Sequence, residues 1–389
     1  QVSDFIPVAR IADMLLNPGE HYDYDGEQRT YPDIKMVYWC GGNPFHHHQD
    51  LNRLVESWQQ PDTIIIHEPW WNSNARHADI VLPIATTFER NDIAGGRADG
   101  FLFAMQKSIE VVGQSKTDYE IFSLLADQLG FKAEFTEGRT EKQWLEHLHQ
   151  RFQQAASEVV DGVPSFEEFC SKGFYALPDL KGEPFLESFR KDPSANPLAT
   201  PSGKIEIFSS TIDKFSYEDC PGHPTWMEPC EWLGAESVKK YPLHLITNQP
   251  KTRLHSQYDN GGYSLENKIR EREPVSINPK DAVARGISDG DIVRLFNDRG
   301  ACLAGVIVTE DVMPGVVQLS TGAWYDPLVP GEIGSVDVHG NPNVLTIDKG
   351  TSKLAQGPSA MSALVEVELF EDELPPIKIF SPPEIIESA

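Results

Sequence analysis

In the first third of the chain, short apolar runs at residues 34–40, 63–67 and 80–82 alternate with the segment 49–59, where Leu51, Leu54, Val55 and Trp58 recur at helical spacing. That alternation predicts an α/β region with short parallel strands and helices on both faces. From Asp118 the period becomes helical through Ile121, Phe122, Leu124, Leu125 and Leu129 up to Gly130, and a second helix is expected around 142–156. Residues 178–229 are rich in Pro and Gly without a period and predict a surface wrap. Past Tyr241 the pattern changes to β-branched or alternating runs at 243–248, 275–277, 292–297, 302–309, 316–320 and 363–369. Gly290, Asp298-Arg299-Gly300 and Pro314-Gly315 punctuate them, and one helical insert at 279–285 closes at Gly286. A compact β-barrel is expected there. The expected division is 1–117 (α/β, dinucleotide-binding-like), 118–240 (helical and irregular connection), 241–370 (barrel) and 371–389, an acidic Pro-rich tail that either packs along a surface or is disordered.

The run Gly41-Gly42-Asn43-Pro44-Phe45-His46-His47-His48-Gln49-Asp50 follows the first apolar strand directly. Two glycines let backbone approach a ligand, Asn43 and the histidines supply polar contacts, and the amide end of the following helix could face an anion. Three consecutive imidazoles cannot converge on one ion, so a cofactor-contacting loop is the better reading than a metal site. The formal charge of −26, from 33 basic and 59 acidic residues, repels a phosphate backbone and argues against nucleic-acid binding. A few local arginines and amides could still hold a nucleotide. No apolar stretch approaches the roughly 20 residues a membrane span requires. Cys40, Cys170, Cys220, Cys230 and Cys302 are widely spaced without Cys-x-x-Cys, which argues against a zinc or iron–sulfur centre, and Cys40 and Cys302 are expected as small buried hydrophobes.

The loop resembles that of the molybdopterin oxidoreductases of the dimethyl-sulfoxide-reductase family, and within them the biotin sulfoxide and trimethylamine N-oxide reductases. The likeness continues through residues 75–83 (Ala-Arg-His-Ala-Asp-Ile-Val-Leu-Pro), Phe88-Glu89-Arg90-Asn91-Asp92, Thr200-Pro201-Ser202-Gly203-Lys204-Ile205-Glu206, Arg253-Leu254-His255-Ser256-Gln257, Asn297-Asp298-Arg299-Gly300 and residues 350–357. Several motifs in order carry far more weight than a lone Gly-Gly-Asn-Pro. The resemblance implies an α/β Rossmann-like parallel-sheet domain, a helical and irregular connection, and a barrel of the double-psi type. It also implies a bis(molybdopterin guanine dinucleotide) molybdenum cofactor bound by the complete enzyme, a small S-oxide or N-oxide substrate and an electron donor. Nothing in the chain corresponds to the family's N-terminal half, which supplies a serine ligand to molybdenum. With no initiator Met and no signal segment at Gln1, the expectation is a C-terminal half, inactive alone, whose partner is that missing half, with either a cytoplasmic or a periplasmic address.

By the same resemblance Asn43 and His47 contact the dinucleotide, while His46 and His48 pack or line the substrate funnel. Strand 63–67 ends at His67 and Glu68, and the Glu68 carboxylate can accept guanine N1–H and N2–H₂ or serve as an ordinary strand-end charge. Many relatives carry Asp there. Arg90 serves the nucleotide or pairs with Glu89 or Asp92, and Asp118 serves it or caps the helix it precedes. Thr247, Asn248, Gln249 and Pro250 with Arg253, His255, Ser256 and Gln257 form a dense polar loop suited to pyrophosphate and a pterin edge. Asn343 could read a pterin edge or sit in a turn. Trp324-Tyr325-Asp326 is better explained by packing in the barrel wall than by an access channel. No residue is assigned as catalytic acid, base or metal ligand. The region 247–257 and Cys220-Pro221-Gly222-His223-Pro224 lean towards a biotin sulfoxide substrate; the alternatives are another molybdenum reaction on the same scaffold, or a nucleotide-binding assembly half.

Overall fold

The computed structural model describes residues 4–96, 100–158, 160, 162–178, 182, 184–359 and 362–386. It forms two compact units, one made of Gln1–Ile66, Trp71–Ile80 and Ile207–Ala389, the other of His67–Trp70 and Val81–Glu206.

The first unit begins with an antiparallel hairpin, β1 (His21–Tyr24) and β2 (Glu27–Thr30). Its two-residue turn, Asp25-Gly26, has both residues at positive φ, the conformation that an Asp-Gly pair favours in a tight hairpin. Along the chain follow β3 (Met36–Cys40), the helix Leu51–Trp58, β4 (Thr63–His67) and β5 (Ile80–Leu82), the strands forming one sheet in the order β3-β4-β5, with His67 and Val81–Leu82 counted in the second unit. The helix buries Leu51, Leu54, Val55 and Trp58, the stripe expected from the sequence. Its N-cap is Asp50, whose Oδ1 accepts Arg53 N at 3.2 Å. One of the amides expected to be open to an anion is thus taken up by the chain's own carboxylate.

In the second unit β6 (Asp92–Gly95), β7 (Phe101–Met105) and β8 (Phe174–Ala176) make an antiparallel sheet beside helices at Asp118–Leu129, Glu141–Ala156 and Phe166–Lys172. Each of these helices starts with a reciprocal capping box, Thr117 with Glu120, Thr140 with Gln143 and Ser165 with Glu168. Thr117, not Asp118, is thus the cap of the first, which corrects the capping alternative for Asp118.

Returning to the first unit, six strands close a barrel: β9 (Leu243–Ile246), β10 (Pro274–Ile277), β11 (Ile292–Phe296), β12 (Ala301–Val308), β13 (Val316–Leu319) and β14 (Ser362–Leu369). Their order is β10-β12-β11-β14-β9-β13; β10 with β12 and β9 with β13 run parallel, and the other pairs are antiparallel. Leu243, Leu245, Val293, Leu295 and Val317 fill the interior at 1% exposure or less, while Leu303, paired with Arg294 on the outer face, packs with Ile292 and Val338. Each contributes about 1.5–3 kcal/mol by leaving water. At the β11–β12 turn a Cβ on Gly300 would lie 2.5 Å from Asn52 Nδ2 and 3.0 Å from Val344 O, so close approach explains the glycine.

Cys302 is fully buried as expected, whereas Cys40 is exposed at the end of β3, where the short apolar run gave no sign that its last residue emerges. Trp324, Tyr325 and Asp326 are buried in the wall. Part of the tail packs: Lys378 N and Ile379 N donate to Asp326 Oδ2 at 2.7 and 3.0 Å, and Ile379 is 1% exposed, whereas Ile385 and Ile386 are 76% and 86% exposed. Among the described residues no helix is long and apolar enough to cross a membrane.

Candidate functional site

The ligand loop emerges from β3 with Gly41 and Gly42 at φ near +79° and +78°, a left-handed pair that only glycine adopts without cost. Nothing lies within 4 Å of where a Cβ on Gly41 would stand, so the backbone there is open to a ligand. Asn43, buried, caps the short turn Pro44–His47 by accepting Phe45 N at 3.1 Å. Phe45 is completely buried and stacks on His77 (centroids 4.1 Å apart) and Tyr325 (5.9 Å), which anchors the loop. Asn341 Nδ2 donates to Phe45 O at 3.0 Å and Asn343 Nδ2 to His46 O at 2.6 Å. The loop is thus held by the turn at 340–343.

Two buried polar atoms here, Asn343 Oδ1 and His46 Nδ1, have no hydrogen-bond partner among the described residues. Leaving such atoms unpaired costs about 1–3 kcal/mol each, a cost that a ligand satisfying them removes. Burial, then His47, His255 and Arg253, pushes His46 down to about 3, so at neutral pH it is an uncharged imidazole. His48 falls to about 4, again chiefly by burial, and the exposed His47 is also lowered by burial and by His255. The ring of His255 lies 5.5 Å from His46 and 6.3 Å from His47, which brings the polar loop to the ligand loop.

That polar loop is shaped by close packing. A Cβ on Gly322 would fall 2.0 Å from His255 O, and Ser256 O accepts Trp324 Nε1 at 2.8 Å. Asn248, just past β9, is already partnered, accepting from Gln318 Nε2 of β13 at 2.6 Å and donating to Gln249 O at 2.8 Å. Thr247 and Pro250 are buried, Gln249 and Gln257 exposed. The Arg253 side chain is 1% exposed within a buried ion network: Nη2 lies 3.1 Å from Glu273, Nε 3.3 Å from Asp259, and Lys268 Nζ bridges both carboxylates at 2.9 Å. Burial pushes the Asp259 carboxyl up, but His339, Lys268 and Arg253 outweigh it and hold it at about 2. His339, completely buried, donates Nδ1 to Trp324 O at 2.8 Å and is held neutral, near 3, by burial and by Lys268.

The remaining candidates lie in the second unit. His67 Nδ1 and Asp118 Oδ1 are 2.6 Å apart, Glu68 Oε1 accepts Trp70 N at 3.4 Å, and Arg90 pairs with Asp92, the ion pair foreseen as its structural role. Glu89 accepts Thr86 N and Val112 N at 2.7 and 2.6 Å, bonds that hold its carboxyl below the usual range.

Residues 17–128 match the family model "Molybdopterin oxidoreductase" and residues 243–364 match "Molydopterin dinucleotide binding domain". Two stretches of the chain thus match domains of molybdopterin oxidoreductases. It is 48% identical over 97% of its length to a dimethyl sulfoxide/trimethylamine N-oxide reductase of Cereibacter sphaeroides, covering 46% of that protein. It is also 48% identical over 94% of its length to a biotin sulfoxide reductase of the same organism (49% covered), and 46% identical over 97% to a trimethylamine-N-oxide reductase of Haemophilus influenzae (46% covered). The chain spans about half the length of the curated relatives it matches. Acetylene hydratase from Pelobacter acetylenicus shares the fold at TM-score 0.66 and 20% identity, over 87% of this chain and 45% of that one.

Sequence reading missed the groups that organise this molybdopterin domain: Asp259, Lys268, Glu273, Asp337 and Asn341. Asn341 carried a usable sign, since Asn-Pro begins a capped turn at Asn43, Asn278 and Asn341 alike. The buried ions carried none, because a charged residue in a loop ordinarily means an exposed one.

Proposed function

We propose that this chain grips a molybdopterin guanine dinucleotide in an S-oxide or N-oxide reductase that carries bis(molybdopterin guanine dinucleotide) molybdenum. The observation that carries the reading is the pair of buried, unpartnered atoms, Asn343 Oδ1 and His46 Nδ1, beside the open Gly41-Gly42 backbone. An acceptor and a neutral imidazole suit a planar heterocycle edge that offers N–H groups. When bound, the cofactor supplies two-electron oxygen-atom transfer, and an electron donor must restore it. This chain's residues bind and orient. Asn343, His46, His47 and the His255–Gln257 stretch contact the cofactor; Arg253 acts by shaping the loop they stand on. In the second unit Glu68 accepts from a guanine edge, and His67, Arg90 and Asp118 support that contact. No side chain is assigned to the metal. The α/β part is taken as Rossmann-like, and the barrel, with its two parallel and four antiparallel pairings, as double-psi.

The near-equal identity to dimethyl sulfoxide/trimethylamine N-oxide and biotin sulfoxide reductases supports the oxide class rather than one oxide. The test is molybdenum and guanine-nucleotide content of the purified protein, with assays on dimethyl, methionine and biotin sulfoxides and trimethylamine N-oxide. Glu68→Ala is expected to lose nucleotide by about 1.5–3 kcal/mol per charged hydrogen bond removed, and Glu68→Asp to change little. Nucleotide content unchanged in the alanine variant removes Glu68 from the site.

A further inference from the structure

We infer that Asp337 is a positioning residue for the ligand loop: its carboxylate fixes the turn at 340–343, and Asn341 and Asn343 on that turn set where the backbone of Phe45 and His46 lies. The side chain is completely buried. Oδ2 accepts Gly340 N and Asn341 N, both at 2.7 Å, and Oδ1 accepts Asp326 N at 2.8 Å. From that anchored turn the two asparagine amides reach Phe45 O and His46 O. The turn has little slack, since Gly340 sits at φ +104° and a Cβ there would lie 2.8 Å from Glu273 Cβ and 3.2 Å from Leu303 O. A carboxylate serving the barrel alone would not hold a turn that aims two amides 296 and 297 residues back along the chain.

Burial pushes the Asp337 carboxyl up to about 7, against the pull of its three backbone donors. The charged or titratable groups facing it are Asp326, which raises it further, the Arg272 guanidinium, the Tyr325 phenol and the Cys302 thiol. Tyr325 and Cys302 are themselves pushed up by burial and stay neutral through this range. The ionised carboxylate accepts all three bonds; protonation turns one oxygen into a donor facing N–H groups. Only the consequence for cofactor retention rests on the proposed function; the link from Asp337 to the loop does not.

The test is amide hydrogen exchange of the purified protein at pH 6 and pH 8, corrected for intrinsic rates, with guanine nucleotide per chain measured on the same samples. Asp337→Asn is expected to speed exchange of residues 45–48 about tenfold at pH 8, where the wild-type carboxylate is ionised, while β9 and β13 keep wild-type protection. Asn341→Ala leaves the carboxylate in place and is expected to loosen the same residues less, so it decides the matter if Asp337→Asn does not fold. Wild-type loop protection in Asn341→Ala, or loss spread equally over β9 and β13 in the folded Asp337→Asn protein, overturns the inference. Absence of guanine nucleotide from wild type as well as variants, with the loop effect intact, would sink the proposed function and leave the positioning role standing.

Discussion

Leu243, Leu245, Val293, Leu295 and Val317 in the barrel are at most 1% exposed, whereas in the second unit Phe101 and Phe103 are each 43% exposed, Phe131 44% and Leu124 51%. The barrel's strands are held by an interior that they fill themselves. The second unit buries few of its large apolar side chains and relies on local signals, with a capping box at the start of each of three helices. Charge follows the same division. Arg253, Lys268, Asp259 and Glu273 are sealed in the barrel-bearing unit at 4% side-chain exposure or less, while Arg90 and Asp92 form a partly open pair. Polar groups sealed in this way carry high stakes, because each must be satisfied by the fold or by a ligand.

Lys268→Met breaks this contrast most severely, since it leaves two buried carboxylates with one guanidinium; a loss of about 3–5 kcal/mol is expected in chemical denaturation of the barrel-bearing unit. Leu245→Ala follows at about 2–5 kcal/mol by cavity formation, against about 1 kcal/mol or less for Phe103→Ala in the second unit. Equal costs for these two would erase the comparison. Thr140→Ala removes a cap and is expected to cost about 1 kcal/mol, detected as faster amide exchange confined to 141–156.

A further contrast comes from pH. His46, His48, His77 and His339 are neutral in the folded barrel-bearing unit, with values of about 3 to 4, and burial is the leading cause for each. Unfolded histidine binds its proton near 6.5, so the unfolded chain takes up more protons below that pH. Stability of this unit therefore falls as pH drops from about 6.5 towards 4. In the second unit burial lowers only His149 among the histidines with a resolved shift, so the slope there is expected to be shallower. Melting followed by exchange in each unit across pH 4–8 measures both slopes.

Much of the fold was legible in the sequence because its signals are local. The stripe Leu51, Leu54, Val55 and Trp58, the helix ending at Gly130 and the insert now seen at Pro279–Ala284 follow from spacing and punctuation. The β1–β2 hairpin had its Asp25-Gly26 signal and went unread. The site was legible as far as its loops, but not in the division of labour within them. Arg253 reads from sequence as a phosphate ligand, yet its partners Asp259, Lys268 and Glu273 lie up to 20 residues away and meet only when the barrel closes. Asp50 similarly reads as part of a ligand loop until its left-handed backbone turns its carboxylate onto the helix start.

The claim on which the account turns is that the unpartnered Asn343 Oδ1 is a cofactor contact rather than a structural loose end. Asn343→Ala, compared with wild type, should be assayed for guanine nucleotide and molybdenum per chain beside the melting temperature of the cofactor-free protein. The account predicts a loss of cofactor of about tenfold, the worth of one hydrogen bond of about 1.4 kcal/mol, beyond the modest fall in cofactor-free melting that follows from leaving His46 O without its donor. Wild-type cofactor content in that variant would contradict it.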